Sequence, residues 1–465
     1  MTVIGERDAH VVALPGEPEF TAATEVFNLA APLSPAAAVT ARTVDEVRAA
    51  LDHARAAGLF VRVHTTGHGA GTAHPMERSL LIRTRMREPV TVDVRRGLAR
   101  IPAGSRWADV VEAAAPHGLA VAHGSSPTVG AVGYLLRGGL SFYGRSRGVA
   151  ANGVRAVELV TADGELRRVD AESDPELLWA LRGGGGGLGV VTAVETELFP
   201  ATEVRTGSAF WPFEHAERLL SLWLAWCRDA PRTATTTLQV MNLPDVTEIP
   251  PALRAGPVVC VDGAVLGEGE SGAADAERTA ADLLGPLRAT APPLLDTWEA
   301  AAPPAVLHTH MDPTDPLPMV GDHMLLDELG DAGAAEFLRV TGPGSGSPLI
   351  SAELRQLGGA FAEPSPTGGA LSHIAAPYAY LGAGVPQDEA DAGAIRAHCA
   401  RVRAALDPWN TGRTAPTLVE DTEQPQGHLT DEQREAVDRV RERVDPLGLF
   451  RGDIAPQASA RRQAS

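Results

Sequence analysis

Apolar side chains at Val47, Ala50, Leu51 and Ala54 recur at the spacing of one helical face, which predicts a helix from Val44 to Gly58. Thr43 as N-cap and Glu46 three residues on form a capping box at its start. The run Leu59-Phe60-Val61 follows as a buried strand. Further strands are predicted at Ser79–Ile82, Val90–Val94 and Leu98–Ile101, then a helix over Trp107–Ala115 that stops near Pro116 and Gly118. Val154–Thr161 and Leu166–Val169 read as strands joined by a turn at Asp163-Gly164. A short helix opens at Asp174 and ends at Arg182, and a strand runs from Val190 to Phe199. Beyond Thr206, Ala209–Pro212 leads into an amphipathic helix, Glu214–Trp226. Strands at Thr233–Met241, Val258–Val265 and Leu371–Leu381 alternate with helices at Ala273–Leu284, Asp388–Leu406 and Thr430–Val444. No internal repeat is seen.

Glycine divides this pattern in two. Three glycine clusters lie before residue 205 and none of that kind follows. The first is Thr65-Thr66-Gly67-His68-Gly69-Ala70-Gly71, directly after Val61-Arg62-Val63-His64. Consecutive small residues leave backbone N–H groups free to turn toward an anion, and they hold a histidine among them. The second runs from Gly124 to Tyr134 and is extended by Gly138-Gly139 and Gly144–Gly148. The third, Gly183–Gly189, contains the spacing GxGxxG, but it comes after a helix and before a strand. A dinucleotide fingerprint of the doubly wound fold needs the reverse order, so that reading is rejected. The expected organisation is residues 1–205, 206–410 and a C-terminal segment 411–465 that returns to the first domain.

Composition narrows the function. The net charge of -19 with no basic run argues against nucleic acid and against a membrane surface. No apolar run is long enough to span a bilayer. Met1–Asp8 lacks the basic and apolar parts of an export signal, so the expected compartment is the cytoplasm. The chain contains no lysine, which removes Schiff-base chemistry and a Walker-A lysine. Cys227, Cys260 and Cys399 are far apart, and the first 226 residues hold no cysteine.

Together the three clusters, in this order and context, resemble the FAD-linked oxidases with a PCMH-type (vanillyl-alcohol-oxidase-like) FAD domain. The nearest branch by this resemblance is the bacterial berberine-bridge-enzyme-like oxidases. Glu353-Leu354-Arg355-Gln356-Leu357-Gly358-Gly359-Ala360 resembles a strand motif of their substrate domain, and Val444-Asp445-Pro446 with Leu449-Phe450 resembles their ending. The resemblance implies an α+β fold: a PCMH-type FAD-binding domain of two α/β subdomains over about 32–201, plus an α/β substrate domain whose antiparallel sheet is covered by helices. It implies FAD as cofactor, linked covalently through His68. Arg62, Thr65, Thr66, Gly67 and Gly69 would surround the pyrophosphate. Ser125, Ser126, Thr128, Val129, Gly130, Gly133 and Tyr134 would follow the ribityl chain and ring, with Gly189 and Val190 beside the adenosine part. Part of the family carries a second link through cysteine; the matching position is Ser126, so a single attachment is expected. Val129 falls where a small side chain leaves room for O2, which favours an oxidase.

The chain departs from the family at its catalytic end. The usual Tyr-x-Asn is replaced by Ala415-Pro416-Thr417, an asparagine by Gly187 and an aspartate by Asn152. Replacement bases are sought on the strand Leu371–Leu381, where Tyr378 and Tyr380 share a face and His373 lies near the start. Glu353 and Arg355 offer another set. His308, His310, Asp312 and Asp315 are metal-ligand types, but Pro313 and Pro316 make the stretch a loop and no metal is expected. The favoured function is an oxidoreductase that takes a hydride from a small, natural-product-like molecule and passes electrons to O2. The alternatives are a non-redox cyclase or pericyclic catalyst on the same scaffold, and a binding protein. Substrate and oligomeric state are not fixed by the sequence.

Overall fold

The computed structural model describes residues 12–73 and 75–452. The stretch Met1–Asp8 and the tail after Pro456 lie outside the described residues. Three sheets carry the architecture. The first is parallel, with Ser79–Thr84 between Ala37–Ala41 and Phe60–His64. The helix Val44–Ala57 covers it with Val47, Ala50, Leu51 and Ala54, all fully buried. The Thr43 side chain accepts from the Glu46 amide, and Gly58 ends the helix at φ 64°. A left-handed residue there favours glycine because it carries no Cβ.

The second sheet is antiparallel, in the order Thr91–Asp93, Leu98–Pro102, Val190–Glu197, Val154–Val160, Leu166–Asp170. The helices Trp107–Ala114, Ala131–Leu136 and Pro175–Leu181 pack their apolar residues into the core beneath it. The C-terminal end joins the first sheet. The Val61 amide donates to the Leu449 carbonyl at 2.8 Å and the Arg451 amide to the Val61 carbonyl at 2.9 Å. Phe450 between them is buried in the same core.

The third sheet is antiparallel and large: Leu295–Asp296, Val204–Pro212, Val258–Leu266, Ala234–Met241, Ser351–Gln356, Tyr378–Gly384, Val320–Leu326, with Glu299–Ala301 paired to Val204–Pro212. The helices Ala216–Asp229, Gly272–Thr290, Gly330–Thr341 and Glu389–Leu406 cover one face. Strand side chains alternate between faces. Trp211, Val261, Leu238, Leu354 and Tyr380 enter the helix-covered core. Their neighbours Asp262, Gln239, Glu353, Arg355 and Leu381 take the opposite face. One face is thus apolar and the other is lined with charge.

Several element boundaries differ from expectation. Ala209–Pro212 is the end of a nine-residue strand, not a lead-in, and the following helix starts at Ala216. Gly207 sits in this ladder opposite Gly263, with Thr297 and Trp298 close against it: a Cβ would meet Thr297 O at 2.5 Å. The strand expected from Leu371 begins only at Tyr378. Pro377 before it has no N–H to donate to a ladder. The strand from Val190 ends at Glu197, and Phe199–Pro200 pairs instead with Leu119–Ala120. Among the described residues, no helix is long and apolar enough to cross a membrane.

Candidate functional site

A cleft of ≈ 350 Å³ lies between the glycine-rich loops and the charged face of the large sheet. The first cluster forms one wall with Arg62, Thr65, Thr66, Gly67, His68 and Gly69. The amides of Phe27 and Asn28 donate to the carbonyls of Thr66 and Gly67. In trans peptides the following N–H groups, those of Gly67 and His68, point the opposite way. That is the arrangement of an anion nest. Gly67 has φ +75°, and a Cβ on it would fall 2.6 Å from Val26 Cα, so both conformation and space require glycine there. Arg62 is buried and its Nη1 donates to the Gly452 carbonyl at 3.1 Å, which ties the C-terminal segment to this wall.

His68 stacks on Phe27 with ring centroids 3.8 Å apart and an interplanar angle of 13°. Its Nε2 is 3.1 Å from Thr128 Oγ1, and Thr128 Oγ1 is 3.0 Å from Ser126 Oγ. Burial, only partly offset by the charge of Asp312, lowers its pKa to about 4. The ring is neutral at physiological pH and keeps a lone pair. Ser125, Ser126, Val129, Gly130, Gly133 and Tyr134 continue the wall, and Gly186, Gly187 and Gly189 close the far end. A Cβ on Gly130 would meet Thr65 Cγ2 at 3.2 Å, so bare backbone lines the passage. Two of the expected contacts lie elsewhere. Thr128 stands behind His68, and Val190 is fully buried in the core of the first sheet.

The facing wall comes from the large sheet and the loop after Leu307. His310 is held between two buried carboxylates, with Nδ1 2.8 Å from Asp262 Oδ2 and Nε2 2.8 Å from Glu353 Oε2. Burial opposes its charge, but Asp262 and Glu353 outweigh burial and hold the pKa well above the usual histidine value. His310 is therefore an imidazolium with both N–H groups committed. Gln239 Nε2 donates to the same Asp262 oxygen at 2.7 Å, and Ser351 Oγ donates to Gln239 Oε1 at 2.8 Å. Arg355 lies 3.4 Å from Glu353 Oε1, its guanidinium over the Phe142 ring at 5.1 Å. Asp312 reaches to the other wall, where Ser125 Oγ donates to its Oδ2 at 2.6 Å. Between His310 and Asp312, Met311 has φ 54°, the one positive value at a non-glycine residue among those described. Holding His310 in the sheet and Asp312 on Ser125 fixes this strained turn.

The three residues expected to act as bases do not reach the cleft. Tyr378 and Tyr380 do share a face, but it is the helix-covered one. Tyr380 is fully buried among apolar residues and its hydroxyl has no hydrogen-bond partner. The cleft-facing phase of this strand is the opposite one: Leu381, the residue after Tyr380, lines the cleft. His373 lines a separate cavity with Asp327, Thr411 and His428, and its Nδ1 is 3.0 Å from Ser372 Oγ. Sequence reasoning missed Asp262 altogether. Its signal was present as the lone charge in the apolar run Val258–Leu266. Among the described residues no three His, Cys, Asp or Glu gather to hold a metal ion, and both nitrogens of His310 are already taken.

Residues 35–170 match the family described as an FAD binding domain. The FAD-dependent monooxygenase prx3 of Penicillium roqueforti is 31% identical over 186 residues, 40% of this chain and 36% of that protein. The (R)-6-hydroxynicotine oxidase of Paenarthrobacter nicotinovorans is 34% identical over 142 residues, 30% of this chain and 31% of that enzyme. The chain spans about a third of the length of these curated relatives. The solved structure of the Physcomitrella patens BBE-like 1 protein superposes with a TM-score of 0.80 at 19% identity, covering 95% of this chain and 96% of that one.

Proposed function

We propose that this protein, whose glycine-rich loops form an FAD binding domain of PCMH type within a BBE-like fold, is an FAD-dependent oxidase of a small organic molecule. One observation carries the reading. The nest with His68 and the charged group of His310, Asp312 and Arg355 face each other across a single cleft. FAD would supply the hydride acceptor. The amides of Gly67 and His68 would take the pyrophosphate, as nest amides do without any lysine. His68 would be the single covalent hold on the flavin. Ser126 occupies the place of the second link, and none of the buried Cys227, Cys260 and Cys399 lines the cleft. Val129 in the same wall leaves room for O2 as the electron acceptor.

The proton leaves the substrate by a different route from the one the absent Tyr-x-Asn would provide. Asp312 is partly exposed in the cleft and uses one oxygen on Ser125. Its Oδ1 makes no hydrogen bond among the described residues, so it is open to a substrate O–H or N–H as general base. His310 and Arg355 are fixed cations on the same wall that would orient a polar substrate. This acid–base equipment removes the motive for a redox-silent cyclase.

Anaerobic mixing of the purified yellow protein with panels of small alcohols, amines and phenols tests the proposal. At least one compound should bleach the flavin, and admitting O2 should restore the colour with one peroxide per turnover. Colourless protein from cells supplied with riboflavin, or turnover that persists without bleaching under anaerobiosis, would count against it.

A further inference from the structure

Arg355 is a charged side chain in the wall of the cleft whose donors are not used within the protein. It is 5% exposed and carries five N–H donors in a planar fork, yet it makes no hydrogen bond among the described residues. Glu353 Oε1 lies 3.4 Å from its Nη2 but accepts no hydrogen bond, and the other oxygen of Glu353 is taken by His310. Across the ladder Arg355 faces Thr237 and Ala379, and the Thr237 hydroxyl is itself buried without a partner. Tyr134 lines the same cleft, and its hydroxyl too is buried without a partner. We propose that Arg355 is the specificity-determining residue for a substrate carboxylate, so that the small molecule oxidised in this cleft is an organic acid. The proposal rests on the oxidase reading and names the class of its substrate.

Buried N–H groups are nearly always paired, so a guanidinium with this many open donors calls for an oxygen partner from outside the chain. A carboxylate answers it with two parallel bonds, which a single carbonyl cannot match. Burial opposes the charge of Arg355, but Glu353, Asp262 and Asp312 outweigh it, so the group is ionised. The Phe142 ring lies against the guanidinium at 5.1 Å, which leaves its N–H edge to bind in the plane. Burial raises the pKa of Tyr134, so its phenol keeps a proton to donate beside the arginine. Asp312 comes from the loop after Leu307 and Arg355 from the sheet, and both line the cleft. They divide the two ends of one molecule between them: an O–H or N–H meets the open oxygen of Asp312, and a carboxylate meets Arg355.

The carboxylate is a handle and is unchanged by the reaction. The C–H bond of the substrate breaks with its electron pair, and the hydride goes to the flavin. The O–H or N–H bond gives its proton to Asp312, and a C=O or C=N bond forms between the two atoms. The two electrons pass on to O2, which becomes peroxide. The uncharged amide of the same acid would follow the same steps and lacks only the anionic second oxygen. Acid and amide therefore differ in how they bind Arg355, not in the bonds that change.

The test uses the full-length, FAD-loaded protein and two pairs of probes that cannot be oxidised, benzoate with benzamide and isobutyrate with isobutyramide. Each is titrated and read by the change it makes in the visible flavin spectrum. In wild type the acid of at least one pair should bind about tenfold or more tighter than its amide, the scale of a hydrogen bond to a charged group. Arg355→Gln should keep its flavin and bring that acid to within about twofold of the amide. Arg355→Lys, a cation without the fork, should recover only part of the difference. Equal binding of acid and amide in both pairs, or no spectral change with either acid, overturns the proposal while a yellow protein leaves the oxidase reading standing. Wild-type acid binding in Arg355→Gln overturns it as well. A folded Arg355→Gln protein without flavin assigns the guanidinium to the cofactor and also overturns it. If Arg355→Gln does not fold, Arg355→Lys decides, and undiminished acid binding there overturns the fork. Colourless wild type overturns the oxidase reading and this proposal with it.

Discussion

His310 Nε2 stands 2.8 Å from Glu353 Oε2 while Nδ1 of the same ring stands 2.8 Å from Asp262 Oδ2, so one imidazolium separates two buried carboxylates. Removing the ring leaves two like charges facing each other in a dry site. Breaking a buried pair of this kind costs about 3–5 kcal/mol. His310→Ala should therefore lower the unfolding free energy read from urea titration by about that amount, and Asp262→Asn with Glu353→Gln in the same chain should recover much of the loss. Equal stability of His310→Ala and wild type would show that the ring does not hold the two carboxylates together.

Met311 carries the strained turn that delivers both neighbours. A left-handed backbone costs an L-residue about 1–2 kcal/mol, while glycine adopts it freely at an entropic cost of about 0.5–1 kcal/mol. Met311→Gly should thus be neutral or raise stability by up to about 1 kcal/mol. Met311→Val, with a branched Cβ, should destabilise by about 2 kcal/mol and loosen the contact between Asp312 and Ser125. Thermal unfolding of the three proteins, read at one FAD concentration, decides between the two effects.

How much of this site was legible follows from how local each signal is. The glycines of the first loop and the N-cap Thr43 are written in a few adjacent residues; Thr43 accepts from the Glu46 amide as read, while the Glu46 carboxylate takes the Arg42 amide and not that of Thr43, so the capping box is only half formed. The alternation on Tyr378–Gly384 gives two sets of side chains but not which set meets the helices. That choice is made by the partner strands, so the tyrosines were assigned to the wrong face. Asp262 and Glu353 are brought to one face by the register of the large sheet, which pairs Gln239 with Glu353 and Thr237 with Asp262, and His310 reaches them from the loop after Leu307. No spacing in the chain expresses that register.

Acid should loosen the C-terminal segment. Buried His323 accepts from the Ala415 amide through Nε2 at 2.9 Å and meets the Tyr380 carbonyl through Nδ1 at 2.8 Å. Burial lowers its pKa to about 4, and burial does the same to His123. In the unfolded chain both take up protons near pH 6.5, and in the folded chain only near 4. Their stability is therefore fully present above pH 6.5 and is lost as pH falls toward 4, by about 3 kcal/mol each at most. Urea midpoints measured from pH 8 to 4.5 should fall across that window, and His323→Gln should flatten part of the slope. His310 has the opposite sign: its raised pKa contributes below pH 6.5 and is lost only as pH climbs through its folded value. A midpoint that holds steady down to pH 4.5 would show that the buried rings are already charged.

Tyr380 and Asp312 separate a core position from a reactive one. The Tyr380 hydroxyl is buried without a partner, and Gly382 leaves it space, since a Cβ there would lie 2.1 Å from the oxygen. Tyr380→Phe removes an unsatisfied group and should change stability by no more than about 1 kcal/mol, in the favourable direction. It should leave flavin content and anaerobic flavin reduction within about twofold of wild type. Asp312→Asn keeps the shape and a carbonyl oxygen for the Ser125 hydroxyl but cannot take a proton. It should retain the yellow flavin and slow anaerobic reduction by an oxidisable alcohol or amine about a hundredfold or more. Should Tyr380→Phe instead abolish reduction while Asp312→Asn proceeds at the wild-type rate, the proton route lies through the helix-covered face and the assignment of the two walls is reversed.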